Sequence, residues 1–202
     1  MDLRLGFMAS HNGSNVEAIL NNMENGSLIA EPQVIISNNP NSGVLKIAEH
    51  RNVPNYCLNS KNYQPKFDSL DEAILKTLIQ HDVNLVILAG YMEQIGEKII
   101  RAYLSRILNI HPALLPKYGG KGMYGKHVHE AVIKSDDRET GATVHIVSPE
   151  YDKGRILAQC KVPRYLNDTV ETLSQRVLRF EHVLYSQVLR DIQLNLIELD
   201  KI

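Results

Sequence analysis

The segment Val83-Asn84-Leu85-Val86-Ile87-Leu88-Ala89 is apolar at every position but one, and this run constrains the fold more than any other feature of the chain. A strand with one face in water alternates polar and apolar residues. A strand that is apolar throughout is covered on both faces, as the inner strands of a parallel sheet are. Parallel neighbours cannot be joined by a tight hairpin and need crossovers, usually helical. The first two-thirds of the sequence supplies them. Leu3 to Ala9 reads as a strand, followed by a helix from about Ser14 to Asn25 with Val16, Ile19 and Leu20 on one side. Val34 to Ile36 is a second strand, and after the turn-forming run Asn38 to Gly43 a short helix carries Val44, Ile47 and Ala48. Phe67, Leu70, Ile74 and Leu78 have helical spacing, as do Ile99, Ile100, Tyr103 and Leu104, and Ile107 to Ile110 is another buried strand stopped at Pro112. A further helix is expected near Gly125 to Lys134.

The rhythm then changes. Thr143 to Ser148 and Arg155 to Val162 read as neighbouring strands joined by Pro149 to Gly154, suited to an antiparallel edge, and a helix from about Thr169 to Ile192 carries the stripe Val170, Leu173, Val177, Leu184 and Val188. The expected fold class is α/β: a Rossmann-like, doubly wound, mostly parallel sheet with an antiparallel C-terminal edge, in one domain over residues 1–202.

With 22 Lys+Arg against 23 Asp+Glu, the chain lacks the basic excess of proteins that hold nucleic acid through its phosphates, so no nucleic-acid partner is expected. The N-terminus has no basic segment leading into a long apolar run, and Leu85 to Ala89 falls far short of the ~20 residues that span a bilayer. A cytoplasmic protein with no membrane partner is the expectation. Cys57 and Cys160 belong to no CxxC or Cys/His cluster and read as reduced thiols. His127 and His129, two apart on the expected helix, point to nearly opposite faces, and no HxxxH, HExxH or DxD pattern occurs, so no metal is expected.

An open α/β sheet presents its ligands at the carboxyl ends of its strands. Asn109 and His111 stand there on the same face of one strand, able either to share a developing oxyanion or simply to cap backbone groups. Asp152, in the turn Tyr151 to Gly154, is either a turn residue or, if the sheet brings it to His111, a group that raises the pKa of that histidine. Ser10 to Asn15 joins the first strand to the first helix; its free N–H groups suit a phosphate, while Ser14 with Glu17 also fits a capping box. Glu181 interrupts the apolar stripe of the last helix, where a carboxylate needs an internal cation or a polar ligand.

These residues extend into longer matches: Asn12-Gly13-Ser14-Asn15, Leu88-Ala89-Gly90-Tyr91-Met92, Asn109-Ile110-His111-Pro112 running on to Leu114-Leu115-Pro116-Lys117-Tyr118, Gly141 to His145, Asp152-Lys153-Gly154 and Glu181-His182. In this order they resemble the glycinamide ribonucleotide formyltransferases. The resemblance implies the formyltransferase fold and a transfer of formyl from 10-formyltetrahydrofolate, as cosubstrate, to the amine of glycinamide ribonucleotide, a step of purine biosynthesis. It implies Asn109, His111 and Asp152 as the catalytic trio, and Asn12, Gly13, Ser14, Asn15 and Glu181 as the ribonucleotide site. Leu88, Met92, Glu93, Gln94 and Ile95, with Asn109, Tyr151 and Asp152, correspond to the folate pocket. His145 is either a proton relay through a bound water or a packed strand histidine. The two small molecules are the implied partners, of a monomer or homodimer.

The chain departs from well-known members at His11, at Lys153-Gly154-Arg155, and at Glu93 and Leu70, where arginines occur elsewhere; Gly119 to Gly125 is similar to a branch with plastid and some bacterial members. Three rivals remain at this stage: a formyltetrahydrofolate hydrolase using the same trio, a methionyl-tRNA formyltransferase, and a non-catalytic folate or nucleotide binding module. The first two resemble chains with an additional domain.

Overall fold

The structure is a computed structural model that describes residues 2–61 and 69–200. Seven strands form one sheet in the order β3-β2-β1-β4-β5-β6-β7. In chain order the elements are β1 (Arg4–Met8), α1 (Ser14–Glu24), β2 (Glu31–Ser37), α2 (Gly43–His50), β3 (Asn55–Cys57), α3 (Leu70–Gln80) and β4 (Leu85–Leu88). They continue as α4 (Glu97–Ala102), β5 (Ile107–His111), α5 (Lys126–Lys134), β6 (Glu139–Ile146), β7 (Ile156–Pro163) and α6 (Val170–Gln193). The first five strands are parallel, and β6 and β7 run antiparallel to their neighbours.

The apolar run that opened the argument is β4, paired to β1 on one side and β5 on the other and buried at each of its four positions. Its side chains alternate between two cores. Leu85 and Ile87 join Leu5, Phe7, Val16, Ile19, Leu108, Ile110 and the inner stripe of α6 on one face. Val86 and Leu88 join Met8, Ile36, Ile74, Leu78, Ile99 and Ile107, under α3 and α4, on the other. The period of two along each strand is what divides one sheet between two cores. Burying a Leu or Ile in either core stabilises the fold by about 1.5–3 kcal/mol relative to exposure.

Two readings are corrected, and part of a third lies outside the described residues. The short strand β3 was not anticipated: Asn55, Tyr56 and Cys57 show no alternation, and they become a strand because Ile35 to Ser37 offer them a free parallel edge. Ser14 with Glu17 is no capping box. Ser14 is the first helical residue, and the cap position belongs to Gly13 with a left-handed φ of 74° and no side-chain cap bond. The capping box lies instead on α6, where Thr169 and Thr172 exchange side-chain and backbone bonds. The expected helix residue Phe67 lies outside the described residues, and α3 begins at Leu70 after Ser69 accepts from the Glu72 N–H.

Candidate active site

The order of strands turns back on itself between β1 and β4, which places a crevice at their carboxyl ends. Ser10 closes this point. Its N–H donates to the Gly90 carbonyl at 3.1 Å, and its hydroxyl accepts from the Met92 N–H at 2.8 Å. The loop after β1 is thereby tied to the loop after β4.

Because Leu108 and Ile110 enter the α6-side core, Asn109 and His111 project to the opposite face, and the antiparallel register sets His145 beside Asn109 and Thr143 beside His111. The turn after β6 returns Asp152 to the same place. Its carboxylate lies 3.7 Å from His111 Nδ1 and 3.5 Å from His145 Nε2, and accepts from the Gly120 N–H at 2.8 Å. Both readings of Asp152 hold at once. Its φ of 56° is a turn conformation that Asp tolerates, and that same conformation aims the carboxylate between two imidazoles.

Hydrogen bonds assign the protons. His145 Nδ1 is 3.0 Å from the Ile146 carbonyl and therefore carries hydrogen, while its Nε2 lies 3.1 Å from the Asn109 amide nitrogen. His111 Nε2 donates to the Tyr118 carbonyl at 2.7 Å, which leaves Nδ1 for Asp152. Asp152 pushes the His111 pKa up, as expected, but the fold as a whole does not follow it. Burial lowers it, the Asp152 carboxylate and the Tyr118 carbonyl oppose that fall, His145 adds to it, and the net direction is down. The ring is 4 % exposed, so removing water from the cation outweighs one carboxylate 3.7 Å away. For Asp152, burial pushes the carboxyl up, but its contact with His145, the bond from the Gly120 N–H and the electrostatic influence of the two imidazoles hold it below the usual carboxylate range.

A cavity of about 100 Å³ opens against this cluster. Of the expected pocket residues, Leu88, Glu93, Gln94, Ile95, Asn109, Tyr151 and Asp152 line it. Met92 does not: it is 38 % exposed, held by its backbone N–H to Ser10. Tyr91, inside the expected motif Leu88 to Met92, also lines the cavity; the sequence reading missed Ile100 and the stretch Val147 to Glu150, and it left His145 open between a proton relay and a packed strand histidine, without the wall that it also forms. Val147 could have been found beyond the end of the expected motif Gly141 to His145. The Tyr118 carbonyl and Gly120 N–H could not, since backbone groups carry no signature. Gly119, between them, has no room for a side chain: a Cβ would press into Leu115 and lie 3.2 Å from Asp152 Cβ.

Asn12, Gly13, Ser14 and Asn15 form the entry to α1, whose first N–H groups have no partner within the helix and receive no side-chain cap. Gly13 also has a packing role, because a Cβ would lie 2.6 Å from Val44 Cγ2 and 3.1 Å from the Val44 backbone, and its φ of 74° suits glycine. Asn15 donates to Glu181 across the α1–α6 contact at 2.7 Å. Burial raises the Glu181 carboxyl, and that bond opposes the rise. Glu181 therefore has an internal neutral partner rather than a cation. It stands on the α6 side, away from the trio's face, so a ligand touching both must pass over the carboxyl edge of the sheet. Among the described residues no cluster of three or more His, Cys, Asp or Glu is arranged to hold a metal ion.

An amide, two imidazoles and a carboxylate beside a small cavity, on a mostly parallel sheet and next to an uncapped helix entry, give an α/β protein a set of groups that can donate hydrogen bonds and exchange protons. Comparison with known proteins narrows the class. The chain belongs to the formyl transferase family, whose pattern, described as Formyl transferase, matches residues 3–189. It is 39 % identical over 185 residues to the chloroplastic phosphoribosylglycinamide formyltransferase of Arabidopsis thaliana, covering 92 % of this chain and 63 % of that protein. The chain thus spans about three-fifths of the length of such plant relatives. It is 34 % identical over 189 residues to the phosphoribosylglycinamide formyltransferase of Bacillus subtilis, with 94 % of each covered. The crystal structure of glycinamide ribonucleotide transformylase 1 from Symbiobacterium toebii superposes with a TM-score of 0.88 at 32 % identity, over 96 % of this chain and 89 % of that one.

Proposed function

We propose that this protein is a phosphoribosylglycinamide formyltransferase of purine biosynthesis, moving the formyl group of 10-formyltetrahydrofolate to the amine of glycinamide ribonucleotide. The observation that carries the reading is the joining of Asn109, His111, His145 and Asp152 in one cluster against a cavity. The match to the Bacillus subtilis protein, over 94 % of each chain, supports it.

In this reading the cavity takes the pterin end of the folate. Tyr91, whose buried hydroxyl has no partner among the described residues, and the Asn109 amide provide polar groups for it. The free N–H groups of Gly13, Ser14 and Asn15 hold the phosphate at the positive end of α1, with Asn12 beside them and Glu181 accepting from the ribonucleotide. The amine attacks the formyl carbon, a C–N bond forms, and the carbonyl oxygen becomes an oxyanion. Asn109 has two N–H bonds; one turned to His145 leaves the other for that oxygen.

His111, kept neutral by burial, takes the proton released by the attacking amine and passes it to the departing folate nitrogen as the old C–N bond breaks. Asp152, 3.7 Å from Nδ1, stabilises the transient imidazolium, and the Tyr118 carbonyl keeps the other hydrogen on Nε2. His145 positions Asn109 and borders the cavity; a proton relay through it is secondary. No helix among the described residues is long and apolar enough to cross a membrane, and we place the enzyme in the cytoplasm, as one domain, with two small-molecule substrates, no nucleic-acid partner and no metal, in a monomer or homodimer.

The test is turnover of 10-formyltetrahydrofolate with and without glycinamide ribonucleotide. Formylated ribonucleotide, with little folate deformylated in its absence, is the expected result. Equal deformylation in both samples would make the protein a hydrolase, and binding without turnover a binding module.

A further inference from the structure

Three carboxylates, Glu93, Glu150 and Asp152, line the cavity, and among the described residues no lysine or arginine does. Asp152 is committed to His111, His145 and Gly120, but Glu93 and Glu150 are not part of that cluster. The cations of α4, which follows the cavity wall at Ile95, are engaged elsewhere: Lys98 with Glu72 at 3.9 Å and Arg101 with Glu97 at 2.5 Å. Arg155, beyond the Asp152 turn, donates to the carbonyls of Glu198 and Leu199. The charge of Glu93 reaches into the cavity, since after burial it is the second cause that raises the Tyr91 phenol.

The folate cosubstrate of the proposed function carries a tail of one or more glutamates, each added residue bringing one more carboxylate. Like charges about 4 Å apart repel by roughly 1 kcal/mol even at the dielectric of water, and the repulsion is screened over about 10 Å at 0.1 M salt. A mouth lined by acids thus opposes the part of the ligand that is itself an acid.

We propose that Glu93, reinforced by Glu150, makes this enzyme select its folate by tail charge, favouring short tails over polyglutamates. The inference rests on the proposed function. A ring that is neutral enters the cavity without penalty, whereas each glutamate brought to the mouth adds repulsion. The preference is therefore electrostatic, strongest at low salt, and located at one side chain.

The experiment measures KM for three cosubstrates, the formyl tetrahydropteroate lacking glutamate and the mono- and pentaglutamate forms of 10-formyltetrahydrofolate, at low and high salt. The wild-type KM should rise about threefold to tenfold from the glutamate-free to the pentaglutamate form at low salt, with the ratio shrinking in high salt. Glu93→Gln should lower that ratio and Glu93→Lys should invert it. A wild-type KM that falls as glutamates are added, or a ratio unchanged in Glu93→Lys, would overturn the proposal. Absence of turnover with all three would instead overturn the proposed function itself, so the two failures are separable.

Discussion

Two polar clusters of similar make-up stand at different places in this molecule. At the entry to α6, Asp168 accepts from the Tyr165 N–H, from the Thr172 hydroxyl and from Arg176 through two parallel bonds of 2.6 and 2.7 Å, and Arg176 also lies 4.3 Å from the Tyr165 ring centre. Every group there is answered by a fixed partner of complementary charge. At the carboxyl ends of β5 and β6, Asp152 faces two imidazoles at 3.5 and 3.7 Å, longer than hydrogen bonds, and His111 is pulled in opposite directions by burial and by the carboxylate. Both aspartates are held below the usual carboxylate range, Asp168 first of all by Arg176, and Asp152 by its contact with His145, the Gly120 N–H and the neighbouring imidazoles, which together overcome its burial. A shifted carboxylate therefore does not mark a site by itself. Incomplete satisfaction beside a cavity does, because the remaining electrostatic capacity is available to a reacting group.

The largest test of this contrast is Asp152→Asn. Asn tolerates the left-handed backbone at this position, so the variant should fold and bind both substrates while kcat falls roughly 10²- to 10⁴-fold. Its pH profile adds a sign. His111 must be neutral to accept a proton, so activity is lost as pH falls through its pKa, and removing the carboxylate should move that acid limb to still lower pH. Near-normal kcat would reduce Asp152 to a turn residue and erase the difference between the clusters.

The next effect is on stability. Burial, and then the charge of His111, lower the pKa of His129 to about 4, and its Nδ1 has no partner among the described residues. The unfolded chain protonates this histidine near pH 6.5 and the folded one near 4. Stability is thus complete above pH 6.5 and decreases as pH falls toward 4, by roughly 3 kcal/mol from this residue. His129→Gln should flatten urea midpoints across that window; an equally steep decline in the variant would assign the pH dependence to other groups.

Asp168→Asn should cost roughly 1–3 kcal/mol in thermal or urea unfolding near neutral pH, since Arg176 loses its charged partner, while leaving kcat intact. The Asp168 contribution is present above the carboxylate's unfolded pKa of about 4 and lost as pH falls through its lower folded value. A kcat loss comparable to that of Asp152→Asn would break the contrast. The smallest expected effect belongs to Glu181→Gln. The new amide oxygen can still accept from Asn15, so stability should change by less than about 1 kcal/mol, while KM for the ribonucleotide rises roughly tenfold and that for folate holds. A several-kcal/mol destabilisation with unchanged KM would place Glu181 with Asp168, as a structural acid.

Periodicity alone determined a good part of this protein. The apolar run through Val86 and Ile87 required a central parallel strand, and the two-residue spacing of Asn109 and His111 put them on one face, because strand geometry repeats every two residues whatever surrounds it. The motif containing Asp152 was legible for a similar reason: turn chemistry is local. Tertiary structure decided the rest. Strand β3 exists because a neighbour offers it an edge, and Ser14 does not cap because Gly13 takes that position against Val44. Most of all, the direction of the His111 pKa depended on how much water the fold removes, a loss that the Asp152 carboxylate and the accepting Tyr118 carbonyl oppose without reversing. Desolvation and backbone contacts between distant segments leave no mark on residue spacing, so they arise only when the chain is folded.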